Sequence, residues 1–162
     1  MCIRDRLHTG DVGHIDELGH LWITDRKKDI IITAGGKNLS PSEIENRIKV
    51  SPYIREAVVI GDKRKYLTAL IGIESDTVGD WATRQSIPYT TYEDLSSKDE
   101  VNELVSTIVK DANKDFAQVE TIKYFKLMPI ELDHEDGQLT ATQKVKRATI
   151  SKQFSELIES MY

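Results

Sequence analysis

The segment spanning positions 25–45 constrains the fold more than any other part of the sequence, because several local signals follow one another in it. It reads DRKKDIIITAGGKNLSPSEIE. The continuous apolar run Ile30–Ile32 predicts a strand that is buried on both faces. The glycine pair Gly35 and Gly36 then allows the backbone to take a positive φ or to approach a ligand closely.

A helix start follows this glycine loop. Ser40 suits the N-cap position, Pro41 suits the first helical position, and Glu43 completes a capping box. Ile44 and Ile48 then lie on one helical face. The predicted order is strand, glycine loop and helix, with a solvated charged connection before it. By itself, this order is more typical of ordinary α/β packing than of a phosphate or nucleotide site.

The rest of the chain predicts an α+β fold, with a small mixed β-sheet flanked by helices. Positions 13–26 alternate around a turn at 16–19, which indicates a β-hairpin. Two strands at 56–62 and 66–74 are expected at the centre of the sheet, and Ile122–Met128 predicts another.

The helix predictions rest on the spacing of apolar residues. A helix should begin near Val101, and another should carry Ile150, Phe154, Leu157 and Ile158 on one face. Positions 75–98 are polar, with one short helix at 78–84, and are expected to form a surface excursion.

Composition excludes several classes of protein. With 39% hydrophobic and 30% charged residues, the 162-residue chain is an ordinary globular sequence, and its net charge of -5 argues against a nucleic-acid binder. Cys2 has no partner for an internal disulfide, and no segment approaches the roughly 20 apolar residues of a membrane span. The spacing of His8, His14 and His20 does not suit a zinc site, so no metal site is predicted.

Three strings in a fixed order carry a resemblance to a known family. They are LHTGD at 7–11, the segment at 25–45, and LTATQKVKR at 139–147. Together they resemble the adenylate-forming, or AMP-binding, enzyme superfamily, and within it the long-chain fatty acyl-CoA synthetases. The resemblance covers roughly residues 7–162, which correspond to the C-terminal portion of such an enzyme.

The resemblance implies a division of the chain into three parts. Residues 1–6 are a non-family leader or a truncation scar, 7–27 are the tail of the N-terminal AMP-binding domain with its hairpin, and 28–162 are the C-terminal mobile domain. It also implies that the large domain, with most of the magnesium and acyl sites, is missing from this chain.

The resemblance assigns roles to six residues. Asp11 and Arg26 hold the ribose of ATP or AMP, Lys28 is the hinge, and Gly35 and Gly36 face the pantetheine arm of coenzyme A. Lys144 is the catalytic lysine of the adenylation step, where an ammonium can neutralise charge on the α-phosphate and the carboxylate.

Each role has a purely structural alternative. Asp11 could be a turn aspartate, Arg26 a surface ion pair, Lys28 a solvated loop charge, and the glycines a β-turn. The cations of the third string, including Lys144, could form the solvated face of a terminal helix.

The implied activity is that of a long-chain fatty acid-CoA ligase. A fatty acid and ATP give an acyl-adenylate and diphosphate, and coenzyme A then gives acyl-CoA and AMP. The implied substrates are the fatty acid, ATP with Mg²⁺, and coenzyme A, and the implied partner is the missing N-terminal domain, with no nucleic acid. The parent is expected in the cytoplasm, and peripheral association with the cytoplasmic face of a membrane is compatible with the sequence.

Two alternatives remain open. One is the C-terminal part of another adenylate-forming enzyme, of the short-chain acyl or peptide-synthetase type, which would share the three motifs. The other is a free-standing interaction domain without catalysis. The isolated chain is expected to fold but not to catalyse.

Overall fold

A computed structural model describes residues 2–3, 6–132, 137–140 and 145–162. The centre of the structure is a three-stranded mixed sheet with helices on both faces, and a β-hairpin precedes it. The α+β class with a small mixed sheet is therefore confirmed. Within the described ranges, no helix is long and apolar enough to cross a membrane.

The strands are short except in the hairpin and the central sheet. Their bounds are β1 Cys2–Ile3, β2 Arg6–Leu7, β3 Asp11–Ile15, β4 Leu21–Arg26, β5 Ile31–Ile32, β6 Asn38–Leu39, β7 Ile54–Ile60, β8 Leu67–Ile73 and β9 Ile122–Leu127.

The helices lie between and after these strands. Their bounds are α1 Pro41–Lys49, α2 Ser75–Arg84, α3 Tyr92–Ser97, α4 Asp99–Ala112, a 3-10 turn at Asn113–Asp115, α5 Arg147–Gln153 and α6 Ser155–Glu159.

The central sheet has the strand order β7, β8, β9. β7 and β8 are antiparallel, whereas β8 and β9 are parallel, so the sheet is mixed. All seven residues of β8 are buried, because neighbouring strands cover both of its edges and helices cover both of its faces. The predicted strands at 56–62, 66–74 and 122–128 are thus found, with only their ends displaced.

Each face of the sheet has its own apolar core. Val59 and Ile71 belong to the core that contains α1, α2, α3 and α4, whereas Val58 and Leu70 belong to the core formed by α5 and α6. Consecutive residues enter different cores because successive strand side chains point to opposite faces. The predicted terminal helix is found as two helices that are interrupted at Phe154.

The predicted surface excursion at 75–98 was wrong. Most of this segment is helical, and it contributes the fully buried residues Val78, Ala82 and Leu95 to the core on the α4 side of the sheet. The polar residues between these positions masked the apolar ones, which bury because α2 and α3 pack beside α4.

The prediction of a strand buried on both faces at Ile30–Ile32 was also wrong. Only Ile31–Ile32 form a strand, and Ile31 is buried whereas Ile32 is half exposed. β5 pairs with β6 across the glycine loop, so the loop closes a small antiparallel hairpin instead of leading directly into a helix. α1 then begins at Pro41, as predicted.

Candidate nucleotide and thiol site

The two residues predicted to hold a ribose are brought together by the hairpin. Asp11 begins β3 and Arg26 ends β4, and the two residues are direct cross-strand partners. Their side chains form a long ion pair, with Arg26 Nε 3.6 Å from Asp11 Oδ1. The Arg26 side chain is 71% exposed. An exposed pair of this length contributes little to stability, so both groups remain accessible to a polar ligand.

The turn before Asp11 is joined to the segment after Arg26. The Asp11 amide donates to Thr9 Oγ1 at 3.1 Å, and the Lys27 amide donates to the Gly10 carbonyl at 2.8 Å. Gly10 has a φ of +81°, a conformation that favours glycine. The first and second strings of the sequence therefore form one local structure.

Asp25 has a role that the sequence did not predict. This residue is buried, although it lies in the charged segment that was expected to be solvated. Its Oδ2 accepts hydrogen bonds from Ser40 Oγ at 2.7 Å and from the Ser42 amide at 3.3 Å, while its Oδ1 accepts from the Arg26 amide. Burial raises the pKa of Asp25, but these hydrogen bonds outweigh it and hold the pKa below its ordinary value of 3.8.

The predicted capping box at the start of α1 is therefore wrong. Ser40 occupies the N-cap position, but its side chain makes no capping bond to the helix and donates to Asp25 instead. Glu43 is exposed. The Asp25 carboxylate satisfies a free amide of the first turn from outside the helix, where a negative charge is also favoured by the helix dipole.

Lys28, the predicted hinge, lies in the turn between β4 and β5 and is exposed. Asp25 precedes it and α1 follows it, so the Asp25 hydrogen bonds connect the chain across this turn. These bonds hold the hairpin against α1 in the conformation described here.

The glycine loop is a tight turn with one glycine in a conformation that requires it. Gly36 has a φ of +77°, and its amide donates to the Thr33 carbonyl at 2.8 Å. Gly35 has no such constraint. A Cβ added at Gly35 would meet only Thr33 Oγ1, at the ordinary contact distance of 3.9 Å. The turn accounts for Gly36, but nothing described within the chain requires a glycine at position 35.

This loop is fixed against a basic turn between β7 and β8. The Ala34 amide donates to the Arg64 carbonyl at 2.9 Å, and the Lys63 amide donates to the Ile32 carbonyl at 2.8 Å. Lys63 and Lys65 are exposed in this turn. The loop therefore lies beside exposed cations, a setting that favours an anionic ligand.

Lys144, the predicted catalytic residue, lies outside the described residues, but both sides of its segment are described. Leu139 and Val145 form an isolated antiparallel bridge, and the Lys146 amide donates to the Gln138 carbonyl at 2.8 Å. This pairing joins the described residues on the two sides of positions 141–144.

Arg147 does not fit the structural alternative for the third string, in which its cations form a solvated helix face. Its Nη2 lies 2.6 Å from Glu45 Oε2, and its Nη1 donates to the Val59 carbonyl at 3.2 Å. Glu45 is buried and also accepts from the Val59 amide at 2.7 Å. Burial raises the pKa of the Glu45 carboxyl, and Arg147 opposes this effect.

Sequence reasoning missed Asp25, Glu45 and the pairing of Arg147. The only available signal was an acidic residue on the apolar face of α1, since Glu45 lies four residues after Pro41 and three before Ile48. Among the residues that the structure describes, no group of three or more His, Cys, Asp or Glu side chains could hold a metal ion.

The fold and this arrangement define the small domain that adenylate-forming enzymes carry at the C-terminus. The family model for the AMP-binding enzyme C-terminal domain matches residues 28–162, and the chain belongs to this family. It is homologous to the C-terminal part of fatty acyl-CoA ligases, as the sequence resemblance implied.

Two curated relatives illustrate the homology. The long-chain-fatty-acid-CoA ligase FadD15 of Mycobacterium tuberculosis is 38% identical over 95% of this chain. The long-chain-fatty-acid-CoA ligase ACSBG1 of Rattus norvegicus is 33% identical over 96% of it. The chain spans only 26% and 24% of the lengths of these two relatives.

Solved structures share the fold. The adenylation domain of a carboxylate reductase from Mycobacterium chelonae matches 95% of the chain and 22% of its own length, with a TM-score of 0.77 and 24% identity. An ATP-bound chimera of RpMatB and BxBclM matches 90% of the chain and 24% of its own length, with a TM-score of 0.57 and 27% identity.

Proposed function

We propose that this chain is the mobile C-terminal part of a long-chain fatty acid-CoA ligase. The observation that carries the proposal is the meeting of Asp11 and Arg26 as cross-strand partners directly before Lys28. A carboxylate can accept hydrogen bonds from a ribose diol, and a guanidinium can donate to ribose or phosphate oxygens. The relatives named as long-chain ligases support the substrate class.

The reaction proceeds in two steps. In the first, the fatty acid carboxylate attacks the α-phosphate of ATP and diphosphate leaves. In the second, the thiol of coenzyme A attacks the acyl carbonyl and AMP leaves. Lys144 serves the first step as a cation that neutralises the developing charge. Mg²⁺ neutralises the phosphates when bound, and the large domain supplies most of its ligands.

The glycine loop serves the second step. The loop lies beside the exposed Lys63 and Lys65. Rotation of the small domain about Lys28 presents Lys144 to the nucleotide in the first step and the glycine loop to coenzyme A in the second. One domain can therefore meet the different charge distributions of the two steps. The 162-residue chain alone should fold without catalysing; acyl-CoA formation by the isolated chain from fatty acid, ATP and coenzyme A would contradict this.

A substitution at position 35 tests the thiol side of the proposal. In the full-length enzyme, Gly35→Ala should leave folding and acyl-adenylate formation intact, because the added Cβ has room. It should slow thioester formation from supplied acyl-adenylate on the order of 10- to 100-fold, because a displaced nucleophile reacts poorly. Unchanged thioester formation would remove the role of Gly35.

A matched pair of lysine variants tests the adenylation side. Lys144→Ala should reduce acyl-adenylate formation on the order of 100-fold or more while sparing thioester formation from supplied acyl-adenylate. Lys152→Ala, an exposed lysine on α5, should change neither step. Equal loss of both steps in Lys144→Ala would remove its assigned role.

The two alternatives make different predictions for the same enzyme. Adenylation of short acids or amino acids in preference to long-chain fatty acids would assign the chain to another branch of the superfamily. An open reading frame that begins at residue 1, with no large domain encoded before it, would favour a free-standing interaction domain.

A further inference from the structure

The described residues on the two sides of positions 141–144 are joined by backbone pairing. Leu139 and Val145 form an antiparallel bridge, and the Lys146 amide donates to the Gln138 carbonyl. Gln138 is fully buried, and its Nε2 donates to Gln153 Oε1 at 3.0 Å on α5. The two ends of the segment therefore share one anchor in the C-terminal helices.

A second anchor joins the end of this segment to the other side of the domain. Glu45, Val59 and Arg147 form a closed ring of hydrogen bonds: Val59 N to Glu45 Oε1, Arg147 Nη2 to Glu45 Oε2, and Arg147 Nη1 to Val59 O. β7 is one of the two edge strands of the sheet, so among the described residues no strand pairs with the side of β7 that faces away from β8, and the ring uses backbone groups of this strand.

This ring restricts the position of Arg147 because both of its charged members are largely enclosed. The Glu45 side chain is 11% exposed and the Arg147 side chain 26%. The two guanidinium nitrogens of Arg147 donate to two different acceptors, so both the orientation of the group and its distance from α1 and β7 are fixed. The single nitrogen of an ammonium cannot fix both. The backbone at position 147 is thereby held against α1 and β7.

We propose that Arg147 and Glu45 are positioning residues for the adenylation step. The inference rests on the proposed function, since it takes Lys144 as the adenylation lysine. Lys144 lies outside the described residues, but Val145, Lys146 and Arg147 follow it directly in the sequence, and each of these three is held by a contact described above. The two residues act through Lys144 and do not contact the substrate.

The ring also relates the two halves of the proposed reaction. α1 begins at Pro41, directly after the hairpin that carries the glycine loop, and Glu45 lies in its second turn. Arg147, three residues after Lys144, therefore contacts the helix that follows the glycine loop. Loss of the contact between Arg147 and Glu45 should affect the adenylation step, whereas the glycine loop keeps its own hydrogen bonds to Lys63 and Arg64.

The test uses four variants of the full-length enzyme. Arg147→Met removes the cation, Arg147→Lys keeps a charge but has one nitrogen, and the double variant Glu45→Gln with Arg147→Met leaves no unpaired charge while retaining an acceptor for the Val59 amide. Lys152→Met on α5 is the matched control. Each is measured for acyl-adenylate formation, for thioester formation from supplied acyl-adenylate and coenzyme A, and for thermal unfolding.

Arg147→Met should lower the rate of acyl-adenylate formation on the order of 10- to 100-fold, while thioester formation stays at the wild-type rate. Arg147→Lys should recover part of the lost rate. The double variant should regain thermal stability, since replacing a whole buried pair is often neutral, but it should not regain adenylation. Lys152→Met should behave as the wild type.

Equal loss of both steps in Arg147→Met would overturn the inference, as would recovery of adenylation together with stability in the double variant. Either result would make the ring a support of the fold alone. A wild-type enzyme that forms no acyl-adenylate from a long-chain fatty acid and ATP would reject the proposed function, and the inference with it.

Discussion

Replacement of Asp25 by alanine should destabilise the domain through the start of α1. The carboxylate accepts from Ser40 Oγ, from the Ser42 amide and from the Arg26 amide. Alanine leaves the Ser42 amide without its capping acceptor and the half-buried Ser40 hydroxyl without its partner.

The size of the effect follows from these bonds. A hydrogen bond to a charged group contributes about 1.5–3 kcal/mol, and loss of a helix cap costs about 1 kcal/mol. Because the three bonds share one carboxylate, a total near 3 kcal/mol is expected. For a chain of this size, 1 kcal/mol corresponds to about 3 °C, so Tm should fall by roughly 9 °C.

Thermal unfolding of the 162-residue chain, followed by circular dichroism, measures this effect, and Asp80→Ala provides the control. Asp80 is an exposed aspartate on α2, and its replacement should shift Tm by no more than a degree or two. If Asp25→Ala were as mild as Asp80→Ala, the carboxylate would not cap α1.

The pH dependence gives an independent check on Asp25. Its pKa in the folded chain lies below the ordinary 3.8, so its contribution to stability is complete above that pH and is lost as pH falls through the folded value. Asp25→Asn keeps an acceptor but cannot titrate. The stability difference between wild type and Asp25→Asn should therefore shrink on acidification below pH 3.8.

Three further predictions concern buried groups. Leu95→Ala should cost about 2–5 kcal/mol in denaturant unfolding, whereas Leu18→Ala in the exposed hairpin turn should cost little; equal costs would contradict the burial of α3. Burial raises the pKa of Glu45 above 4.5, so its stabilising contribution should decline as pH rises above that value, a trend that denaturation of Glu45→Gln should lack. Burial also raises the pKa of Tyr92 to about 12, so Tyr92→Phe should remove the absorbance change near that pH; if the change removed lay nearer pH 10, the burial of the Tyr92 hydroxyl would be contradicted.

Local pattern predicted the regular elements of this fold well. The apolar spacing of α4 and the mainly apolar sequence of β8 each lie within a single element, so no distant partner was needed to recognise them. The hairpin at positions 13–26 was predicted from its own alternation and turn, although its side chains at Ile15 and Leu21 are exposed. The roles of Asp11, Arg26, Lys28, the two glycines and Lys144 remain predictions.

Patterns failed where burial depends on packing between elements. Positions 75–98 look polar because their apolar residues are few, yet Leu95 is fully buried between α3 and α4. The average hydrophobicity of a segment combines the polar residues on the exposed side of a helix with the apolar residues on its buried side, so a low average does not exclude burial. Only the neighbouring helix determines which side is covered.

The segment at 25–45 shows which features can be read from the sequence and which depend on the tertiary structure. Its order of charged turn, glycine loop and helix can be read from the residues without a structure, and so can the family resemblance that it carries together with the other two strings. The tertiary structure alone determined that Asp25 caps α1 and that Glu45 binds Arg147, 102 residues away in the chain. A charged residue looks the same in a sequence whether its side chain is hydrated or paired. Its partner is determined only when elements distant in the chain pack together.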